Sequence, residues 1–423
     1  MDKFRIRGGR RLAGTVQVSG AKNAALPCLA ATLLTGEPVV LTNLPRVRDI
    51  VTMERVLAAL GESCGHENGS TTVVIGDRDE THAPYELVRT MRASVLVLGP
   101  LLARRGRARV ALPGGCAIGA RPIDLHLAAL EKMGAELAIE HGDVVARAPG
   151  GLRGAELEFA KITVTGTENI LMAAVLARGR TVLANCAVEP EVTDLAEMLV
   201  AMGARIDGVG TGTLTIDGVA RLTGCRHTVI PDRIEAGTYV VAGLLAGDGV
   251  RVEGCRPDHL GAFLDALRAA GAALTVEDRA VAVAAPRGRL YATSVTTAEF
   301  PGFATDLQAQ FLALMTQAEG DCTVTEAIFE NRFQHVLELK RLGAKIEVDG
   351  RTAQVSGPAD LDGTTVMASD LRASAALVLA GLVARGETIV DRIYHLDRGF
   401  EGMETRLNAL GADIERFNPG PFQ

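Results

Sequence analysis

Apolar stretches rich in Ala, Leu and Val recur along the chain, each running into a Gly and then a short strand-like run. They end in LLTGEPVVL, LLARRGRARV, VLARGRTVL, LLAGDGVRV, TQAEGDCTV and LVARGETIV, with the Gly at 36, 106, 179, 247, 320 and 386. The spacings are 70, 73, 68, 73 and 66 residues, a repeat period too regular for chance. A second landmark, a helix-like run closing on Gly, follows in every copy at Gly61, Gly134, Gly203, Gly271, Gly343 and Gly411. Six copies of helix, strand, loop, helix and strand are therefore predicted, with hairpin segments closing each copy. Each Gly predicts a left-handed helix cap. The Gly-rich run from Val209 to Gly218 lies between two strand-like runs without GxGxxG spacing, so it predicts a hairpin turn rather than a phosphate loop.

Two loops per copy are placed to carry chemistry. Entering the first helix stand Lys22 and Asn23, Arg92, Thr167 with Glu168, Asp232 with Arg233 and Glu235, Asp306, and Asp370 with Arg372. Between the strand and the second helix stand Arg46 and Arg48, Cys116 with Arg121, Glu189, Asp258, Glu330 with Arg332, and His395 with Arg398. Asp and Thr at helix starts are ordinary caps. Lys22, Arg92 and Arg372 oppose the helix dipole there, and anionic partners such as a phosphate and a carboxylate would explain them.

Composition narrows the function classes. At 423 residues two or three domains are expected, and with 48% hydrophobic but 4% aromatic residues and no Trp the core should be built from Ala, Leu and Val. A net charge of -7 argues against a nucleic-acid or membrane-surface binder, while leaving room for locally clustered cations around an anionic small molecule. The basic N-terminus lacks an apolar signal region, and the longest apolar stretches are about half of what a membrane span needs. Seven cysteines without a CxxC pair suit reduced thiols in a cytoplasm. With neither HxxxH nor HExxH present, no metal site is expected.

Three stretches then point to a family: SGAKNA (Ser19 to Ala24), LPGGCAIGARPIDLH (Leu112 to His126) and PGFATDLQAQF (Pro301 to Phe311). Together with TEAIFENRF, ASDLRAS and YHLDRGFE they closely resemble the bacterial UDP-N-acetylglucosamine 1-carboxyvinyltransferases, in order and over essentially the whole chain. These belong to the enolpyruvyl transferase superfamily shared with 5-enolpyruvylshikimate-3-phosphate synthase. The resemblance implies an α/β fold, a two-domain inside-out α/β barrel of six repeated helix-strand units, three per domain about pseudo-threefold axes. The domains would be 22–230 and 1–21 plus 231–423, the second taking its first strand from the N-terminus, with the active site in the cleft between them.

The implied reaction moves the enolpyruvyl group of phosphoenolpyruvate to the 3′-hydroxyl of UDP-N-acetylglucosamine by addition and elimination through a tetrahedral intermediate, the first committed step of peptidoglycan precursor synthesis. By the resemblance, Asp306 is the general base, and Lys22, Arg121 and Arg398 hold the phosphate with Arg92 and Arg372 nearby. Asn23 contacts the intermediate. Cys116 is the acid for C3 or aids product release, and its thiol can carry phosphoenolpyruvate as a phosphothioketal or react with an epoxide antibiotic. The nucleotide is implied to rest on Arg121, Pro122, Ile123, Asp124, Leu125 and His126, and on Lys161, Thr163, Val164 and Thr165, with Ile328 near the sugar. Small-molecule substrates, no cofactor, a cytoplasmic location and a monomer are the matching expectations. A sister enzyme with another acceptor, such as shikimate 3-phosphate or a nucleotide, and a non-catalytic UDP-sugar binder are the alternatives.

Overall fold

A computed structural model describes residues 1–76, 80–112, 123–285 and 288–420. Cys116, Arg121 and Pro122 lie outside them. The chain divides into two compact units, one of Met1–Ser19 with Pro231–Gln423 and one of the described residues between Gly20 and Ile230.

Among the described residues, each unit holds three four-stranded sheets. In the 20–230 unit the strands Val39–Thr42, Arg107–Ala111 and Arg180–Ala184 pair antiparallel with Ser70–Ile75, Asp143–Arg147 and Thr213–Asp217. Those in turn pair with Glu62–Glu67, Glu136–Glu140 and Arg205–Asp207. A short parallel strand flanks each sheet: Arg226–Thr228, His82–Ala83 and Glu156–Glu158. The Gly-rich run beyond Asp207 is the turn of the third hairpin, where Gly208 and Gly210 have φ of 81° and 78°.

The other unit repeats this plan twice, in the sheets built on Gly247–Glu253 and Gly320–Thr325. Its third sheet borrows Lys3–Arg7, which lies between Glu387–Asp391 and Ile414–Phe417. Leu12–Gln17 is the parallel edge strand beside Gly247–Glu253. The N-terminus thus supplies two strands where one was expected.

Inside the sheets run the first helices of each copy, Lys22–Ala31, Leu98–Arg105 and Val164–Ala174 in one unit, Arg233–Ala246, Gln308–Met315 and Leu371–Val383 in the other. They are buried nearly all round, and every residue from Arg372 to Leu382 is buried. Ala, Gly and Ser make that possible, because small side chains let helices approach closely without voids. The second helices are amphipathic: Arg48–Ala59 buries Asp49, Ile50, Met53, Val56 and Leu57, a three-four spacing. Helices inside and sheets outside give each unit the inside-out architecture. Among the described residues no helix is long and apolar enough to cross a membrane.

The aromatic-poor core holds for the 20–230 unit, where Phe159 is the aromatic in the buried cluster. The other unit concentrates rings instead. Phe263, Phe303 and Phe311 pack with centroids 5.3 to 6.5 Å apart.

All six second-landmark glycines have positive φ, from 88° at Gly271 to 110° at Gly411. Of the first landmarks, Gly106, Gly179, Gly320 and Gly386 do so, while Gly247 has φ of -75° and opens its strand directly. Gly36 likewise lies outside the left-handed region. The left-handed cap is a requirement at Gly411, where a Cβ would also stand 2.9 Å from the Arg11 carbonyl oxygen. Gly411→Ala is expected to cost about 1–2 kcal/mol from backbone strain alone. Urea unfolding should show a lower midpoint than for Gly212→Ala, where nothing lies within 4 Å of the added methyl. Equal midpoints would refute the cap assignment.

Candidate active site

Interior helices must satisfy their leading N–H groups, and three do so with side chains. Thr163 Oγ1 accepts from Gly166 N at 3.2 Å, Asp232 Oδ1 from Ile234 N and Glu235 N at 2.8 and 3.0 Å, and Asp370 Oδ1 from Arg372 N and Ala373 N at 2.8 and 3.0 Å. Thr167 and Glu168, expected at a helix entrance, lie inside Val164–Ala174 and are buried, because Thr163 takes the cap. The segments entered at Lys22, Arg92 and Thr305 have no side-chain cap. Those starts carry Lys22, Arg92 and Asp306.

Lys22 opens its helix with no carboxylate in the first turn. Its ammonium instead pairs with Asp49 at 3.3 Å, and Asp49 is buried at the start of Arg48–Ala59. Asn23 follows, half-buried.

In the other unit Asp306 sits in the turn Thr305–Leu307 that leads into Gln308–Met315. Arg332 Nη2 donates to its Oδ1 and Arg372 Nη2 to its Oδ2, both at 2.8 Å. The two Arg side chains are 5% and 4% exposed, against 26% for Asp306. Burial pushes the Asp306 pKa up, but the charges and hydrogen bonds of Arg372 and Arg332 outweigh it and hold the carboxyl well below its ordinary range. Each guanidinium also faces a ring, Arg332 over Phe329 at 5.3 Å and Arg372 over Phe400 at 5.7 Å. Arg372 Nη1 is buried without an acceptor among the described residues.

Glu326 sets this loop. Its Oε1 accepts from Thr297 Oγ1 and from the backbone of Ile328 and Phe329, and its Oε2 from Thr305 Oγ1, at 2.8 to 3.1 Å. One buried carboxylate thereby ties the segment bearing Ile328 and Arg332 to the turn bearing Asp306. Arg398 closes the turn Ile393–Arg398, and its charge adds to burial in lowering the His395 pKa.

The residues expected at the nucleotide fall into two groups. Lys161 and Asp124 are exposed, and Leu125, Val164 and Thr165 are half-buried. Ile123 and His126 are buried, and both His126 nitrogens are engaged: Nδ1 with Asn169 Nδ2 at 3.0 Å and Nε2 with Thr165 Oγ1 at 3.4 Å. Asn169 also donates to Val95 O and accepts from Gly99 N. Burial first, then the charge of Arg92, lowers the His126 pKa to about 4, so the ring is neutral at physiological pH.

Sequence reasoning did not single out Asp49, Glu326 or Asn169, and it placed Arg332 on a loop without a role. Glu326 stands within the quoted segment TEAIFENRF and Asn169 follows Thr167 and Glu168, but nothing in the residue order says that they bridge elements.

A family model for EPSP synthase (3-phosphoshikimate 1-carboxyvinyltransferase) matches residues 6–407. A relative from Solibacter usitatus (strain Ellin6076), named UDP-N-acetylglucosamine 1-carboxyvinyltransferase, is 57% identical over 416 residues, covering 98% of this chain and 100% of its own. One of the same name from Koribacter versatilis (strain Ellin345) is 57% identical over 420 residues, 98% of this chain and 96% of its own. Among solved structures, the enolpyruvyl transferase NikO from Streptomyces tendae matches with a TM-score of 0.88 at 28% identity, covering 98% of this chain and 99% of that one. EPSP synthase from Acinetobacter baumannii matches in fold, with a TM-score of 0.77 at 19% identity over 99% of this chain and 100% of that one. With a family model spanning nearly the whole chain and relatives above half identity, the protein belongs to the enolpyruvyl transferase family of EPSP synthase.

Proposed function

We propose that the chain transfers the enolpyruvyl group of phosphoenolpyruvate to the 3′-hydroxyl of UDP-N-acetylglucosamine, releasing phosphate, in the cytoplasm. The full-length relatives carry that name. The observation that carries the mechanism is Asp306, bracketed by two buried guanidinium groups, one of them with a donor still to be filled.

A carboxylate held this low is ionised but weakly basic. A substrate anion drawn to Arg372 and Arg332 competes for their charge, and Asp306 then gains basicity when the 3′-hydroxyl arrives. Asp306 takes the hydroxyl proton as oxygen attacks C2, while an acid, assigned to Cys116, protonates C3. Loss of a C3 proton and cleavage of the C2–O bond then expel phosphate. Lys22, Arg121 and Arg398 stabilise charge on the phosphate, with Arg92 adding to the field and Asn23 hydrogen-bonding the tetrahedral intermediate. On the nucleotide, Lys161 offers an exposed cation to the diphosphate, and Ile123, Asp124 and Leu125 line the base with Arg121 and Pro122. His126 and Thr163 serve mainly by holding their segments, because their side-chain acceptors are committed within the protein. Val164, Thr165 and Ile328 complete the sugar and ribose side.

Phosphate release should be seen with UDP-N-acetylglucosamine and not with shikimate 3-phosphate; the reverse pattern would make the chain a sister enzyme. Asp306→Asn is expected to lower turnover by about 10²–10⁴-fold, the usual weight of a general base. Calorimetry should show UDP-sugar binding retained, and undiminished turnover would remove Asp306 from that role. Replacing Arg332 by Met removes one of the charges that depress the Asp306 pKa, so the acidic limb of the kcat/KM profile should move to higher pH. An unmoved limb would mean that the limb does not report Asp306.

A further inference from the structure

Cys28, Asp194 and His227 come from three separate elements of the 20–230 unit: the interior helix Lys22–Ala31, the helix Pro190–Ala201 and the edge strand Arg226–Thr228. Their donor atoms all lie within 4.8 Å of one another. Cys28 Sγ stands 3.7 Å from Asp194 Oδ2, and His227 Nε2 stands 3.0 Å from Asp194 Oδ1. Cys28 and Asp194 are buried, and His227 is partly exposed with an 11% accessible side chain, which leaves an approach from the strand edge.

We propose that these three side chains form a binding site for one divalent transition-metal ion of the zinc class, separate from the residues assigned to enolpyruvyl transfer. Thiolate, carboxylate and imidazole are the donor types that zinc takes. With metal–donor bonds of about 2.0–2.3 Å, a tetrahedral ion sets its donors roughly 3.3–3.7 Å apart, so donors that already lie within 4.8 Å of one another need only a small approach to take it. Charge favours the same class. Binding releases one proton from the Cys28 thiol and leaves a dication between one thiolate, one carboxylate and a neutral imidazole, so no net charge is buried. A monovalent ion would leave the site anionic. The fourth position falls to water.

The lack of short ligand spacing had argued against any metal. The fold supplies the site instead from residues 166 and 33 positions apart in sequence. An ion there would clamp the middle of the helix whose start presents Lys22 and Asn23.

Cobalt(II) is the probe, added to the full chain carrying Cys116→Ser to remove that thiol. One equivalent is expected to bind with near-ultraviolet thiolate-to-cobalt charge-transfer absorption, reversed by excess zinc. Cys28→Ser should abolish that band, and His227→Gln, at the partly exposed edge, should weaken cobalt binding at least tenfold with the far-ultraviolet circular dichroism unchanged. If Cys28→Ser fails to fold, His227→Gln decides together with an anomalous-scattering map of a zinc-soaked crystal, which should place one peak between Cys28, Asp194 and His227. Absence of the band, a band that survives both substitutions, or zinc only elsewhere would overturn the site and leave the trio as an internal hydrogen-bond chain. None of these readouts depends on transferase activity.

Discussion

A helix buried along its sides must still find partners for the N–H groups at its start, and that constraint organises this protein. Six interior helices each present unsatisfied N–H groups and a positive dipole end to the protein itself. Three are closed by Thr163, Asp232 and Asp370. The other three starts are left to charged residues, and the charges are balanced from the neighbouring loop, Lys22 by Asp49 and Asp306 by Arg332. The same repeat that buries the helices therefore delivers ionic groups to one kind of loop, copy after copy. Charge at these helix starts is a by-product of how the core is closed.

Asp306 shows what such closure costs and gains. Taking a carboxylate and two guanidinium groups out of water is unfavourable by several kcal/mol per ion, so the cluster is a poor device for stability alone. Its value lies in orientation. Two hydrogen bonds of 2.8 Å, from Arg332 and from Arg372 in the next copy, fix the carboxylate in direction as well as charge. The buried Nη1 of Arg372, without an acceptor among the described residues, is a cost that an anion bound there would remove. The stability that ionised Asp306 provides is complete above the ordinary carboxylate range and is lost as pH falls from there through its depressed folded pKa.

The repeat was legible because glycine is needed where the chain turns left-handed, and all six second landmarks do so. Gly36 and Gly247 show the limit: the residue type permits a left-handed cap without demanding it, and Gly247 enters its strand directly. Asp306, Lys22 and Arg372 were legible because charge at an apolar helix start is conspicuous. Their partners were not, since Asp49 and Arg332 read as ordinary loop charges until the loops are brought together. His126 was read as a nucleotide contact, while the fold shows it packed within the protein. Its neighbour Asn169 lies 43 residues away, and only the fold reveals that the ring is spent on holding helices.

The N-terminal strands were the least legible element, and polymer physics explains why they are tolerated. Phe4 pairs with Val390 and Arg416, so the sheet closes a loop of nearly the whole chain, whereas an ordinary hairpin partner would lie some tens of residues away. Loop-closure entropy grows only logarithmically, about 0.6 kcal/mol for each doubling of length, so four or so doublings add roughly 2–3 kcal/mol. Phe4 and Ile6 are fully buried by the pairing, and burial of two such side chains contributes about 3–6 kcal/mol. The long connection is therefore offset by two residues of one strand. What it imposes is order of assembly: Glu387–Asp391 and Ile414–Phe417 have no bond to each other in that sheet, and each depends on Lys3–Arg7 between them. The unit holding Asp306 and Arg372 can complete its third sheet only when both chain ends are present.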